Sequence, residues 1–600
     1  MKKYITILAS GLLGTMVSCN DSFLDKLPET AIGRENFYNT EDDLNLAVYN
    51  LYDFPSTSIY TAEAYAMTDN AWSTGNVELK NMMTGTPSSS TITSGWTWGQ
   101  LRNVNFFLEN FNKAKVSRDR LNHFEGLARF FRARFYVAKV KRYSDVPWID
   151  QVLNTDDDHI LHGERDSREI VVANIMDDYE FAISHVDEFS AAGAVNRWVT
   201  KADYLRFLIY EGTYRKYHQE LNLGTTADRF LERAVEVAQD IMANGGFRIY
   251  TTGKPMEDYG TLFYSQNLTT NPEIIFARMY EADVLNGDSG EGVFGNYETY
   301  PVKDLLQAYL MADGSFYSSR PGYQRYEFVQ EFENRDPRLY QTFAYPGWEL
   351  KRSGTYAQGA GLYVQQMAKN FSGYHQIKGF YNTQDWVERN SIDVPLYRYA
   401  EVLLNYAEAK AELGQLTQQD LDISINILRQ RVGMPHMTLH PDIDPMKEAK
   451  YPNVRSAQRA EIYEIRRERR VELALEGLRH DDLMRWEAGA ALEKAPQGIY
   501  FSRLGRHDMT GNGVVDVILL PASESIPAER EQNSLGVTIQ YYRVGTFGQD
   551  VSLFLAEPTS GNVQIIQDVG TFVAPKYYYR PVPRSQVALN PQLKQIFGWD

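Results

Sequence analysis

One cysteine in 600 residues excludes an intramolecular disulfide, and Cys-based zinc or iron–sulfur sites need several. No apolar run reaches the ~20 residues that span a bilayer. Basic residues are short, with 61 Lys and Arg against 78 Asp and Glu and a formal charge of −17. Such a field repels phosphate and argues against nucleic acid as the main partner. Catalytic signatures are missing too: no G-x-S-x-G, no Walker loop and no H-E-x-x-H. A G-x-G-x-x-G match at Gly290, Gly292 and Gly295 lacks the strand before it and the helix after it that a dinucleotide site needs. Gly287-Asp288-Ser289-Gly290 stands without the disulfides and barrel signals of a serine protease. Aromatics are in surplus: 40 Tyr, 29 Phe and 9 Trp in a chain hydrophobic enough, at 43%, to bury a large core.

The lone cysteine has a specific setting. Met1-Lys2-Lys3 precedes an apolar stretch over residues 5–17 and then Ser18-Cys19. That is an export signal too short to span a membrane. Met16-Val17-Ser18-Cys19 matches a bacterial lipoprotein box, in which Cys19 becomes the acylated first residue after removal of residues 1–18. An ordinary signal peptide with an incidental cysteine is the competing reading. Residues 19–36, polar and with one proline, read as a tether.

Beyond the tether, apolar residues recur at three-to-four spacing over residues 103–115, 124–143, 169–186, 201–217 and 229–243. They do so again over 398–413, 421–431 and 460–475. Small residues such as Ala128, Ala202 and Ala407 mark places where helices approach, as in tetratricopeptide pairs. The fold class is therefore mainly α, a tetratricopeptide-like scaffold with a loop-rich second half carrying short strands. The helical regions are 37–243 and 396–487. Residues 244–395 form a Gly-, Tyr-, Asn- and Pro-rich ligand-binding region, and 488–600 an irregular C-terminal region packing on the scaffold. Long irregular segments on a rigid scaffold are where binding resides.

Three groups of polar residues could carry chemistry. Asp156-Asp157-Asp158-His159, with His162 and Glu164, reads as a solvated acidic loop rather than a metal site. Asp508, Thr510, Asn512 and Asp516 sit at positions 1, 3, 5 and 9 of a calcium-loop frame, but Leu519 stands where the bidentate acid belongs. A structural Ca²⁺ is thus an alternative to a plain glycine-rich turn, and no other cofactor is required. The charged run over 464–486 interleaves acids with arginines and reads as a structural ion-pair network. Several aromatics lie in polar, Gly- or Ser-rich context without apolar periodicity. An aromatic face matches the C–H face of a sugar ring, with neighbouring Asp, Asn or Arg to bond hydroxyls.

Cys19-Asn20-Asp21-Ser22-Phe23-Leu24-Asp25, the stretches LRNVNFFLENF (101–111) and EGLARFFRARFYVAKVKRYSDVPWID (125–150), and NRDPRLYQTFAYPG (334–347) stand in order. VPLYRYAEVLLNYAEAKAELG (394–414), RRERRVELALEGLRHDDLMRW (466–486) and the terminal Asn590-Pro591…Gly598-Trp599 follow. In these motifs the chain resembles the SusD/RagB family of Bacteroidetes outer-membrane lipoproteins. The resemblance implies a non-enzymatic, lipid-anchored, surface-exposed protein that binds oligo- or polysaccharide and passes it to a SusC-type TonB-dependent transporter. By side-chain type, Asp69, Asn70, Trp72, Trp96, Trp98, Tyr297, Trp348, Tyr374 and Trp386 occupy stretches comparable to those in which family members hold glycan. A peptide-binding member of the family and a glycoside hydrolase with paired carboxylates are the alternatives.

Overall fold

The computed structural model describes residues 38–599 apart from 282–283, 285–286, 288–290, 295–297, 353–360 and 386–389. Cys19, Tyr297 and Trp386 lie outside the described residues.

Six long helices carry the scaffold: α1 (Arg118–Tyr143), α2 (Arg168–His185), α3 (Arg197–Tyr217), α4 (Ala227–Asn244), α5 (Tyr399–Glu412) and α6 (Arg459–Glu472). Local chemistry sets their ends. Ser117 accepts the Arg120 amide ahead of α1, and Asn196 accepts the Trp198 and Val199 amides ahead of α3, satisfying donors that have no partner within the helix. Lys141 and Arg142 sit in the last turn of α1, where the helix dipole favours positive charge. α1 packs on α2, α3 on α4, α4 on α5, and α5 on α6, a serial arrangement of the tetratricopeptide type. Ala128, Ala202 and Ala407 are all buried. Glycines also let helices approach closely: a Cβ on Gly212 would lie 2.8 Å from Leu231 Cδ2, and one on Gly126 would lie 2.9 Å from Val186 Cγ2.

Most aromatics are core. Phe124, Phe130, Phe131, Tyr136 and Tyr143 of α1 are buried, and Tyr179 stacks on Tyr204 at 5.0 Å between α2 and α3. Short antiparallel strands stitch distant segments together, Ala71–Ser73 with Thr299–Pro301 and Ile274–Arg278 with Val394–Arg398.

The C-terminal region is more regular than its sequence reads. A six-stranded mixed sheet runs in the order Gln497–Phe501, Ser560–Gln564, Leu553–Glu557, Gln540–Gly545, Val517–Pro521, Gly505–His507. Gln540–Gly545 pairs in parallel with both neighbours. One face, with Val517, Leu519, Tyr542 and Val544, joins a core that includes Leu339 and Phe343, while Ile518, Ile539 and Tyr541 form a small cluster on the other. Apolar residues on both faces erase the alternation that would reveal such strands.

The charged run is a network, but an interior one: every residue from Glu461 to Glu472 is buried. Arg338 binds Asp336, Glu468 and Glu472. Arg398 binds Glu273, Glu472 and Glu476, and Arg485 binds Glu408 and Asp482. Asp481 pairs with Lys141 of α1. Such charges are retained in a core only with their partners, because a lone one carries a desolvation cost of several kcal/mol.

Candidate functional site: an aromatic cleft

A cleft of about 320 Å³ opens where three segments of the middle region meet, with Tyr264, Tyr340, Tyr345, Trp348 and Tyr381 among its walls. Polar side chains fix those walls. Gln341 accepts the Gly260 amide at 2.8 Å and donates to Pro255 O and Pro337 O, joining the 255–264 wall to the helix Pro337–Thr342. Lys378 donates to Tyr259 Oη, Ala474 O and Glu476 Oε1, each at 2.7–2.8 Å, tying the third wall to the charged interior. Burial lowers its ammonium to about 8. Asn382 accepts the Lys351 amide and donates to Glu349 O, holding the strand Glu349–Leu350 against residues 381–384.

The rings are arranged as plates. Tyr264 and Tyr381 lie parallel, 8° apart with centroids 6.0 Å apart, and Tyr340 meets Tyr345 edge to face at 5.3 Å. All four tyrosines are half-buried. Trp348 is held more deeply, its ring against Phe294 and Tyr363. It follows a tight turn in which Gly347 adopts φ +91°, a conformation that glycine takes at no steric cost, and Trp348 N donates to Tyr345 O. Glu257 and Lys351 stand at the exposed rim. Flat apolar faces ringed by hydroxyl, carboxylate and ammonium groups suit a ligand that is apolar on its faces and polar on its edges.

Among the described residues nominated from sequence, Trp348 alone lines this cleft. Asp69 is buried and bound by Arg479 and Lys450, with Arg470 beside it; these cations hold its carboxyl well below the usual range. Asn70 donates to Glu63 and accepts from Arg470. Trp72 is buried in its strand opposite Tyr300. Tyr374 is buried with its hydroxyl donating to Glu331 at 2.6 Å. All four are fixed by scaffold contacts, and Asp69 and Trp72 also line a small separate pocket with Asp304 and Lys494. Trp96 and Trp98 are half-buried, edge to face at 5.3 Å, on the loop that Lys139 of α1 holds through Gly95 O and Thr97 O at 2.6 Å. Sequence reasoning passed over Tyr264, Tyr340 and Tyr345. The last two sit inside NRDPRLYQTFAYPG, whose Pro346-Gly347 turn is a readable signal that a chain reversal presents the flanking aromatics.

In the loop at 508–516, Asp508 accepts the amides of Thr510, Gly511 and Gly513, and Asp516 accepts those of Met509 and Thr510. Asn512 caps Val514 N. The oxygens that a cation would use serve backbone amides, the pattern of a glycine-rich turn. Among the described residues, no group of three or more His, Cys, Asp or Glu could hold a metal ion, and no helix is long and apolar enough to cross a membrane.

The fold agrees with comparisons to known proteins. The profile of the SusD family matches residues 272–599, and the chain belongs to that family. A SusD-like protein of Formosa agariphila is 23% identical over 524 residues, covering 81% of this chain and 92% of that one. A SusD-like protein of Bacteroides ovatus is 23% identical over 345 residues, covering 53% of this chain and 61% of its own. Among solved structures, a SusD-like protein from Bacteroides fragilis superposes with a TM-score of 0.67 at 21% identity, over 96% of this chain and all of the other. A SusD-like carbohydrate binding protein from the same species gives 0.64 at 22% identity, over 93% and 100%.

Proposed function

We propose that this protein is a glycan-binding lipoprotein of the outer cell surface, anchored through Cys19, that captures oligo- or polysaccharide and hands it to a SusC-type TonB-dependent transporter. The observation that carries the binding role is the aromatic cleft: parallel tyrosine plates on fastened walls offer stacking surfaces to pyranose rings without reorganisation on binding. Family membership and a structural neighbour known as a SusD-like carbohydrate binding protein support the ligand class. The lipoprotein box at Met16-Val17-Ser18-Cys19 supports the anchor, and several acyl chains on one residue, at ~0.8 kcal/mol per buried CH₂, hold firmly. Binding without catalysis fits the acids nominated from sequence, since Asp69 and the carboxylates of the 464–486 run are committed to ion pairs.

Calorimetry or affinity electrophoresis against plant, fungal and host polysaccharides tests the reading. Tyr264→Ala and Tyr381→Ala should each weaken the cognate glycan by ~1–3 kcal/mol, taking base–aromatic stacking as the guide. Unchanged affinity in both variants would remove this cleft as the site. Hydrolysis of any panel member by the purified protein, lost on a single Asp or Glu substitution, would overturn the non-enzymatic reading.

A further inference from the structure

The charged interior holds a lysine that its acids leave unserved. Lys447 lies in the short helix Pro445–Lys450, which Asp444 caps by accepting the Met446 amide at 2.9 Å. Only 4% of the residue is exposed, and among the described residues its Nζ has neither a hydrogen bond nor an ion pair. The carboxylates around this helix are already taken. Asp304 binds Lys450, Arg470 and Lys494, Asp69 binds Lys450 and Arg479, and Asp444 binds Arg467.

Arg467, Arg470 and Lys450 repel a positive charge on Lys447, with Asp304 as the counterweight. Burial, the larger cause, and these three cations push its ammonium well below the ordinary lysine range and favour the neutral amine. A lysine desolvated beside other cations is an activated nucleophile, its lone pair free to attack. The same cations would stabilise a negative charge at this nitrogen. Room is scarce, since so little of Lys447 is exposed and Asp304 lines a pocket of only about 20 Å³ with Asp69 and Lys494. The reagent must therefore be small and its adduct anionic. An aldehyde would leave a neutral or cationic imine, and an acyl donor a neutral amide.

We propose that Lys447 is a carboxylation site, taking up carbon dioxide as a lysine carbamate that supplies the counter-charge this cluster lacks. The Nζ lone pair attacks the carbon, and the C–N bond forms as one C=O π pair moves onto oxygen. One N–H proton passes to water, leaving N–COO⁻ with nothing oxidised or reduced. The new carboxylate lies in the field of Arg467, Arg470 and Lys450, which opposes the reverse loss of CO₂. No residue of the aromatic cleft takes part, so this site and the glycan reading stand or fall separately.

The test equilibrates the intact protein with ¹³C-labelled bicarbonate at neutral pH and alkylates carbamates with triethyloxonium before digestion and mass spectrometry. Exposed lysines are protonated at neutral pH, so labelled adduct on Lys447 should exceed that on exposed Lys115 by roughly tenfold or more. Unfolding in urea before labelling should bring Lys447 down to the Lys115 level. The melting temperature of the parent should be higher in CO₂-equilibrated than in CO₂-free buffer at equal pH, and Lys447→Met should remove that difference. If the variant does not fold, trapping on the parent alone decides. No labelled adduct on Lys447, equal labelling of Lys115, or labelling of Lys447 that persists undiminished in urea would each overturn the assignment.

Discussion

Glu63 shows how much a single buried group can report. It accepts from Asn70 Nδ2 at 2.7 Å and from the Gly477 amide, and burial pushes its carboxyl up from 4.5 to about 7. The folded state therefore binds the proton more tightly than the unfolded chain. Its contribution to stability is complete below pH 4.5 and is lost as pH rises through 7. Glu63→Gln removes the titration and keeps one of the two acceptor oxygens; its melting temperature relative to the parent should be more favourable at pH 8 than at pH 4.5, and equal shifts at both pH values would contradict this account. The turn at 508–516 gives a second residue-scale expectation. Because Asp508 and Asp516 already serve amide donors, EDTA should not move the melting temperature, and a drop reversed by Ca²⁺ would show a bound ion.

Elements pack here through close approaches as much as through ring stacking. Gly212 lets α3 meet α4, and an alanine Cβ there would also lie 3.2 Å from Phe230 Cβ. Gly212→Ala should cost ~1–3 kcal/mol by overpacking, measured by urea denaturation. The helices themselves were legible. The 3.6-residue period over 124–143 and 229–243 marks helices that span Arg118–Tyr143 and Ala227–Asn244. Their starts were less so, because caps such as Ser117 lie outside the apolar pattern. The six-stranded sheet was largely illegible, since its strands are short and bury apolar residues on both faces. The cleft was harder still. Side-chain type and loop context select Trp72 and Tyr374 as readily as Trp348, and only tertiary contacts show that the first two are interior. Asp69 illustrates the limit: nothing near it in sequence announces Arg470 and Arg479 as its partners.

At the scale of the whole molecule, those distant pairings make the chain interdependent. The partners Asp69 and Arg479 lie 410 positions apart, and Asn70 and Arg470 lie 400 apart. A fragment of residues 38–243 would carry Glu63 and Asp69 without the cations that make their burial tolerable. Expressed alone, it should be open to limited proteolysis at concentrations where the full chain resists, and a protease-resistant fragment would show the N-terminal half to be self-sufficient. The same geometry has a consequence for biosynthesis. Ribosomes deliver Asp69 long before Arg479, so through most of its synthesis the nascent polypeptide lacks the counter-charges that close its interior. Closure of that interior is thereby postponed until Arg479 has been made, with about 120 residues still to follow, so the order of synthesis itself guards against premature collapse.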